Sequence, residues 1–179
     1  AKKLAQVFWP GPLTMILDKA DTVPVETTGG LSTVAVRFPS DLVAQEFIRA
    51  AGGYVAAPSA NISGRPSPTE AKYVIQDMDG RIDMIIDGGE AGIGLESTII
   101  DLSGEVPMLL RPGYITIEQL RAVLGEVDVD KTILDGNCKD RPKAPGMRYR
   151  HYAPNTRCKL IYSKNENNEI EKINELIKE

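Results

Sequence analysis

Histidine and cysteine are scarce in this sequence. The 179 residues contain one histidine, His151, and two cysteines, Cys138 and Cys158. This set does not supply the ligands of an ordinary zinc site, and a Ser/His/Asp triad is not expected either. We therefore expect no metal site built from protein ligands. Two cysteines also make no disulfide framework, which favours a reducing, cytoplasmic location.

Positive charge and long apolar runs are also in short supply. The formal net charge is −4, which is not the footprint of a dedicated nucleic-acid binder, so any basic surface must be local. No apolar run approaches the ~20 residues of a membrane-spanning helix, and we expect no membrane partner. The 42% hydrophobic and 26% charged residues are typical of a globular protein. The length allows one domain, or one domain and part of another.

The most informative stretch is 57–69, APSANISGRPSPT. It follows Tyr54–Ala57, a short apolar run bounded by turn residues, which predicts a buried strand. Small side chains with a hydroxyl or amide group come next: Ser59, Asn61 and Ser63. Gly64 permits a positive φ, so backbone N–H groups could turn inward and bind an anion.

A helix start follows this loop directly. We interpret Ser67 as the N-cap, Pro68 as the first helical residue and Glu70 as the end of a capping box, which predicts a helix over 68–78. A strand that leads through a Ser/Gly loop into a helix N-terminus is a common way to bind phosphate. The alternative is an ordinary loop before a well-capped helix, because small-residue loops are common.

Arginine occurs at or near the ends of two predicted strands, 32–38 and 106–111. An arginine buried without a partner is costly, so Arg37 and Arg111 each need an anion or the protein surface. Together with Arg65 they could converge on one anionic ligand. For Arg37, a structural salt bridge to an aspartate or glutamate is the alternative.

Two hydroxyl groups stand at the start of another predicted strand, 98–102. Ser97 and Thr98 follow a glycine-rich approach, and their hydroxyls could bond to an ammonium or phosphate group. The alternative is that they simply begin a strand after a glycine loop.

The remaining elements are predicted from apolar periodicity and from caps. Helices are predicted over 1–8, 41–51 with Ser40 as cap, 117–124 with a Thr116–Gln119 capping box and a stop at Gly125, and 169–178. Strands are predicted over 14–17, within 81–87, and over 158–163. We interpret 126–157 as an interdomain linker, whose core at 141–154 interleaves basic residues with Tyr149 and Tyr152. Such a run suits a nucleotide or a nucleic-acid backbone.

Six motifs follow one another between residues 8 and 154: FWPGPLT, STVAVRFP, APSANISGRPSPT, GLESTIIDL, LLRPGYI and APGMRYRHYAP. In this order they resemble the YrdC-like family, and the last motif resembles its long, two-domain form, the threonylcarbamoyl-AMP synthases. The resemblance implies an α/β fold of three layers around a twisted, mixed β-sheet. It also implies synthesis of threonylcarbamoyl-AMP from ATP, L-threonine and bicarbonate, with release of pyrophosphate. That product serves the threonylcarbamoyladenosine modification of tRNA next to the anticodon.

The resemblance also implies roles for single residues. Those implied to bind threonine are Arg37, Ala57 through its backbone, and Ser97. Those implied to bind ATP are Thr33, Ser59, Ser67, Arg111 and Tyr152, with Asn61 assisting and Tyr149 as the alternative to Tyr152. Mg²⁺ would enter with ATP, and tRNA-modifying transferase proteins would receive the product.

The family's N-terminal region and most of its second domain are not matched by any of these motifs. We therefore expect a fragment: residues 1–125 as the C-terminal part of the catalytic domain, 126–157 as a linker over the active site, and 158–179 as the beginning of a small Rossmann-like α/β domain. We expect it to be poorly stable, and its activity alone is in doubt. An RNA-binding module of the same fold without catalysis is the main alternative, and a carbamoyl-phosphate-processing domain is the second.

Overall fold

The computed structural model describes residues 1–134 and 166–176, with six helices and five strands in these ranges. The helices are α1 (Lys2–Phe8), α2 (Leu42–Ala50), α3 (Ala71–Met78), α4 (Ile117–Leu124), α5 (Lys131–Leu134) and α6 (Glu166–Leu176). The strands are β1 (Leu13–Asp18), β2 (Thr33–Arg37), β3 (Thr98–Asp101), β4 (Met108–Arg111) and β5 (Asp128–Val129).

The strands form one open sheet in the order β2-β1-β3-β4-β5. β1 pairs antiparallel with β2 and parallel with β3, β3 pairs antiparallel with β4, and β4 pairs parallel with β5. The sheet is therefore mixed, and the predicted α/β class is confirmed.

The main hydrophobic core lies on one face of this sheet, where α1 and α4 cover it. Side chains of a strand alternate between the two faces, so every second residue of β1, β3 and β4 enters this core. Its buried members are Leu4, Leu13, Met15, Ile100, Leu109, Ile115, Leu120 and Val127. The intervening positions form a smaller cluster on the other face, with Ile16, Ile99 and Leu110. Thr14 belongs to this second face, because it lies two residues before Ile16 on β1.

Seven of the predicted elements are confirmed within two residues at each end, namely α1, β1, β2, α2, β3, β4 and α4. Both hydrogen bonds of the Thr116–Gln119 capping box are present, and α4 ends at Gly125, whose φ is 87°. The helix predicted over 169–178 is present as α6 in the described range. Local caps and strong periodicity therefore located these elements well.

The predicted cap of α2 is wrong. Asp41 is the N-cap instead of Ser40, because its carboxylate accepts the N–H of Ala44 at 2.8 Å. Serine and aspartate cap helices about equally well, so the sequence left a one-residue ambiguity.

The predicted start of α3 is also wrong. α3 begins at Ala71 with Glu70 as N-cap and has no side-chain capping bond. The hydroxyl of Ser67 donates to Glu96, which lies 29 residues further along the chain, and the Glu70 carboxylate pairs with Lys72 at 2.8 Å. Ser67 and Glu70 therefore bond to these partners, and the capping box predicted from the sequence does not form.

Two predicted strands are absent from the structure. Residues 54–57 and 81–87 form no strand, and Tyr54 and Met84 are 86% and 75% exposed. A strand needs a neighbouring backbone to pair with its N–H and C=O groups. Within the described residues, no other strand pairs with either run.

Part of the segment interpreted as a linker belongs to the sheet. β5 pairs with Met108 and Leu109 at the sheet edge, although no periodicity marks so short a strand. The boundaries of the linker remain a prediction, because its core and the strand predicted over 158–163 lie outside the described residues. None of the described helices is long and apolar enough to cross a membrane.

Candidate functional site

Arg37 and Thr14 lie opposite each other on neighbouring strands. They are in register in the antiparallel pair of β1 and β2, so their side chains project from the same face, with Cβ atoms about 4.5–5.5 Å apart. Arg37 is exposed, and no acidic side chain in the described ranges lies within ion-pair distance of it. Its guanidinium is therefore open to an anionic ligand, and the alternative of a structural salt bridge finds no partner there.

Ser97 connects this position to the start of β3. Its hydroxyl lies 2.8 Å from that of Thr14, and either oxygen can donate. The next hydroxyl, that of Thr98, is fully buried; it donates to the carbonyl of Ile115 at 2.7 Å and accepts its N–H at 3.0 Å. Both bonds of the Thr98 hydroxyl are therefore used within the fold, whereas Ser97 is half-buried and contacts Thr14.

Arg111 is held against Ser97 by three hydrogen bonds. Its Nε and Nη2 donate to the Ser97 carbonyl at 3.1 and 2.9 Å, and Nη2 also donates to Ser97 Oγ at 3.0 Å. A guanidinium has five N–H donors in a fixed fork, and in the described part of the chain Nη1 has no partner. This edge of Arg111 could bind a phosphate oxygen.

A close backbone contact keeps the two segments together. Gly113 packs directly on the backbone of residues 96–98. A Cβ at position 113 would lie 2.6 Å from the Thr98 nitrogen and 2.9 Å from the Ser97 carbonyl carbon, and closer still to the Glu96 oxygen. Glycine is therefore required here for space.

Glu96 adds a carboxylate to the cluster. Its Oε1 accepts the hydroxyl of Ser67, and its Oε2 lies 3.7 Å from Arg111 Nη2. The side chains of Arg111 and Glu96 are 16% and 30% exposed. Ser67, Ser97 and Arg111, which the sequence placed in one site, are thus joined by contacts.

The loop that precedes Ser67 is held by Asp77 of α3. One carboxylate oxygen of Asp77 accepts the N–H of Ile62 at 3.0 Å, and the other pairs with the guanidinium of Arg65. The Ile62 N–H, followed by Arg65, lowers the pKa of Asp77 despite its burial. Arg65 therefore anchors the loop, which weakens the hypothesis that it converges on the ligand with Arg111.

Asn61 also organises this loop. Its Nδ2 donates to the carbonyls of Ile62 and Arg65 at 2.9 and 3.1 Å, whereas its buried Oδ1 has no partner within the described structure. Gly64 adopts a φ of 91°, as predicted. Whether the loop binds an anion stays a prediction.

Among the described residues, the other candidate ligands make no side-chain hydrogen bond or ion pair with the cluster formed by Thr14, Ser67, Glu96, Ser97 and Arg111. Thr33 is in register with Asp18 at the far end of β2, so it shares a face with Arg37 at about 13 Å along the strand. Ala57 and Ser59 are exposed, and no side-chain hydrogen bond in the described structure joins Ser59 to the cluster. Tyr152 and Tyr149 lie outside the described residues.

Three residues of the site escaped prediction: Thr14, Glu96 and Asp77. Thr14 and Glu96 both stand within motifs of the sequence, beside residues that were singled out, but single polar residues at such positions have no pattern that marks them. Asp77 lies on α3, and its partners are 12 and 15 residues away. Only the folded chain shows these contacts.

No described part of the chain contains a group of three or more His, Cys, Asp or Glu side chains that could hold a metal ion. An open apolar groove of about 510 Å³ runs along α2. It is lined by Leu42, Val43, Glu46, Phe47, Ala50 and Ile86. None of the candidate ligands lines this groove, and it has few of the polar groups that would orient a nucleotide.

Two family models match the chain. Residues 1–113 match the Sua5/YciO/YrdC model, described as "Telomere recombination". The chain belongs to this family. Residues 115–179 match the model described as "Threonylcarbamoyl-AMP synthase, C-terminal domain", so the Sua5/YciO/YrdC resemblance and its two-domain form are confirmed.

Curated Sua5/YciO/YrdC relatives carry the name threonylcarbamoyl-AMP synthase. The protein of Pyrococcus abyssi is 53% identical over 154 residues, which cover 86% of this chain and 45% of the relative. The protein of Bacillus subtilis is 52% identical over 155 residues, which cover 86% of this chain and 44% of the relative. The chain thus spans about half the length of the curated relatives it matches.

A solved structure supports the same fold. The crystal structure of Sua5 from P. abyssi, complexed with L-threonine, matches with a TM-score of 0.91 and 48% identity. The match covers 98% of this chain and 51% of that one. The mixed sheet described above is therefore that of the Sua5/YciO/YrdC family.

Proposed function

We propose that this chain is part of an enzyme that makes threonylcarbamoyl-AMP from ATP, L-threonine and bicarbonate and releases pyrophosphate. The product would serve the threonylcarbamoyladenosine modification of tRNA next to the anticodon. The relatives named threonylcarbamoyl-AMP synthase and the Sua5 structure complexed with L-threonine support this proposal.

One observation carries the proposal. Arg37 is in register with Thr14, the hydroxyl of Thr14 contacts that of Ser97, and Ser97 in turn is bonded to Arg111. An amino acid carboxylate and a nucleotide phosphate are both anions, so their joint binding needs two cationic groups a short distance apart. Hydroxyl groups between them can bond to the amine or to phosphate oxygens.

The chemistry needs positioning more than an acid–base pair. The ammonium group of threonine would first lose a proton, and the resulting amine would combine with bicarbonate to give a carbamate, with loss of water. A carbamate oxygen would then form a bond to the α-phosphorus of ATP while the bond to pyrophosphate breaks. Phosphoryl and nucleotidyl transfer depend mainly on orientation and charge stabilisation, so a site without a dedicated histidine is suited to it.

Each candidate ligand has a role in this scheme. Arg37 would bind the threonine carboxylate, with Ser97 and the backbone of Ala57 beside it. The groups proposed to bind ATP are Thr33, Ser59, Ser67, Arg111 and Tyr152. Mg²⁺ would enter with ATP and neutralise phosphate charge, without a protein metal cage. Tyr152 would exclude water from the labile mixed anhydride, as part of a lid over the site.

The organisation of the whole protein is also a proposal. Residues 1–125 would belong to the catalytic domain, 126–157 to a covering linker whose first residues add β5 to the sheet of that domain, and 158–179 to a second α/β domain. The enzyme would act in the cytoplasm and pass its product to tRNA-modifying transferase proteins.

The test is pyrophosphate release by the full-length protein that carries this sequence. ATP is supplied with and without threonine and bicarbonate, and residues 1–179 alone are assayed in parallel. We expect release that requires both co-substrates. Release that is independent of threonine, or salt-sensitive RNA binding with no release at all, would reject the synthase in favour of another activity.

A further inference from the structure

Glu96 is an acidic side chain in a cluster that would otherwise be suited only to anions. A carboxylate there repels phosphate, so its presence needs a reason. It accepts a hydrogen bond from Ser67 and lies 3.7 Å from Arg111. Both partners are proposed ATP ligands, and they come from different segments of the chain.

The contacts of Glu96 restrain these partners. Arg111 has its Nε and Nη2 bonded to the Ser97 carbonyl, and Glu96 adds charge on the Nη2 side. The guanidinium plane is thereby held with Nη1 directed away from these acceptors. The same carboxylate fixes the hydroxyl of Ser67 at the end of the 57–69 loop.

We propose that Glu96 is a positioning residue, which orders Ser67 and Arg111 for the phosphates of ATP. The inference rests on the proposed function and adds a residue to it. Glu96 is not required to touch the substrate or to move a proton. Its effect is to reduce the number of side-chain conformations that ATP must order on binding.

The opposite role makes the opposite prediction. If Glu96 merely occupied the anion site in place of phosphate, its neutralisation would tighten ATP binding. If it positions the two ligands, Glu96→Gln weakens ATP binding, because glutamine keeps an acceptor for Ser67 but loses the ion pair with Arg111. Glu96→Ala, which loses both interactions, has the larger effect.

The experiment measures ATP binding and steady-state kinetics of the full-length protein. We expect the Kd and KM for ATP to rise about 3-fold in Glu96→Gln and about 10-fold in Glu96→Ala. The KM for threonine should change far less, and Glu96→Asp should restore part of the ATP affinity. Glu46→Gln is the matched control, because Glu46 pairs with Arg49 on exposed α2 and should leave ATP binding unchanged.

A double-mutant cycle tests whether Glu96 acts on ATP binding through Ser67. In the Ser67→Ala background, Glu96→Gln should raise the KM for ATP by a smaller factor than in the wild type. Thermal unfolding of every variant identifies any that fail to fold. If Glu96→Gln fails to fold, Glu96→Asp replaces it in the cycle.

The outcomes separate the two proposals. If the wild-type protein binds no ATP, the proposed function and the role of Glu96 both fall. If the wild type binds ATP and Glu96→Gln binds it equally or more tightly, only the positioning role is overturned. If the effects of the Ser67 and Glu96 substitutions on the KM for ATP are additive, Glu96 does not act through Ser67.

Discussion

The hydroxyl groups of Thr14 and Ser97 lie 2.8 Å apart, although 83 residues separate them in the chain. The parallel pairing of β1 with β3 brings them together, since Leu13 is in register with Thr98. Thr14 is also in register with Arg37 on the other side of β1. β1 therefore lies between Arg37 and Ser97, the two side chains proposed to bind threonine.

Replacement of Thr14 tests this link. Thr14→Val preserves the shape of the side chain and removes its hydroxyl, so Ser97 loses one partner. We expect the affinity for threonine to fall about 2- to 10-fold, the value of one neutral hydrogen bond. Titration of the full-length protein with threonine measures it. Thr14→Ser should restore affinity; if it binds threonine as weakly as Thr14→Val, the hydroxyl is not the cause.

Arg37→Ala should remove most of the affinity for threonine. A hydrogen bond to a charged group contributes more than a neutral one, so we expect Kd to rise about 10- to 100-fold. Arg49→Ala is the matched control, since Arg49 is an exposed arginine on α2 whose partner, Glu46, is in the same helix. Equal threonine binding by Arg37→Ala and wild type would exclude Arg37 from the site.

Gly113→Ala should destabilise the fold. Its Cβ would overlap the backbone of residues 96–98, which is confined by the sheet and cannot move aside easily. We expect the free energy of unfolding to fall by about 1–3 kcal/mol. Urea denaturation measures this change. Gly92→Ala is the control because its Cβ would meet no atom within 4 Å of the described structure; equal stability losses in the two variants would show that the close contact is not responsible.

Asp77→Asn should weaken the fold at neutral pH. The pKa of Asp77 is lowered from 3.8 by the N–H of Ile62 and then by Arg65. A carboxyl with a lowered native pKa stabilises the fold above its unfolded pKa, and this contribution is lost as the pH falls through the native pKa. The stability difference between wild type and variant should therefore be full at pH 7 and shrink below pH 3.8.

Urea denaturation over a pH series measures that difference. Asp83→Asn is the control, because Asp83 is exposed and makes no hydrogen bond or ion pair in the described ranges. A difference between wild type and Asp77→Asn that stays constant from pH 7 to strongly acidic conditions would contradict the electrostatic explanation.

Much of the fold was predictable because its signals are local. The capping box at Thr116 and Gln119 depends on residues three positions apart, and β2 and β4 lie in apolar runs that end at Pro39 and Pro112. The runs at 54–57 and 81–87 have the same local signal and form no strand. A strand depends on a second backbone, which a local pattern does not contain.

The sequence by itself determined the family, and with it the mixed α/β class, because the motifs depend on residue identity and order along the chain. It also supplied the arginine and serine residues that are proposed as ligands. The tertiary structure decided which of these groups meet. It placed Thr14 beside Ser97 and Glu96 between Ser67 and Arg111, and it paired Arg65 with Asp77. Side chains distant in sequence become neighbours only through strand register and loop packing, so their contacts follow from the folded chain.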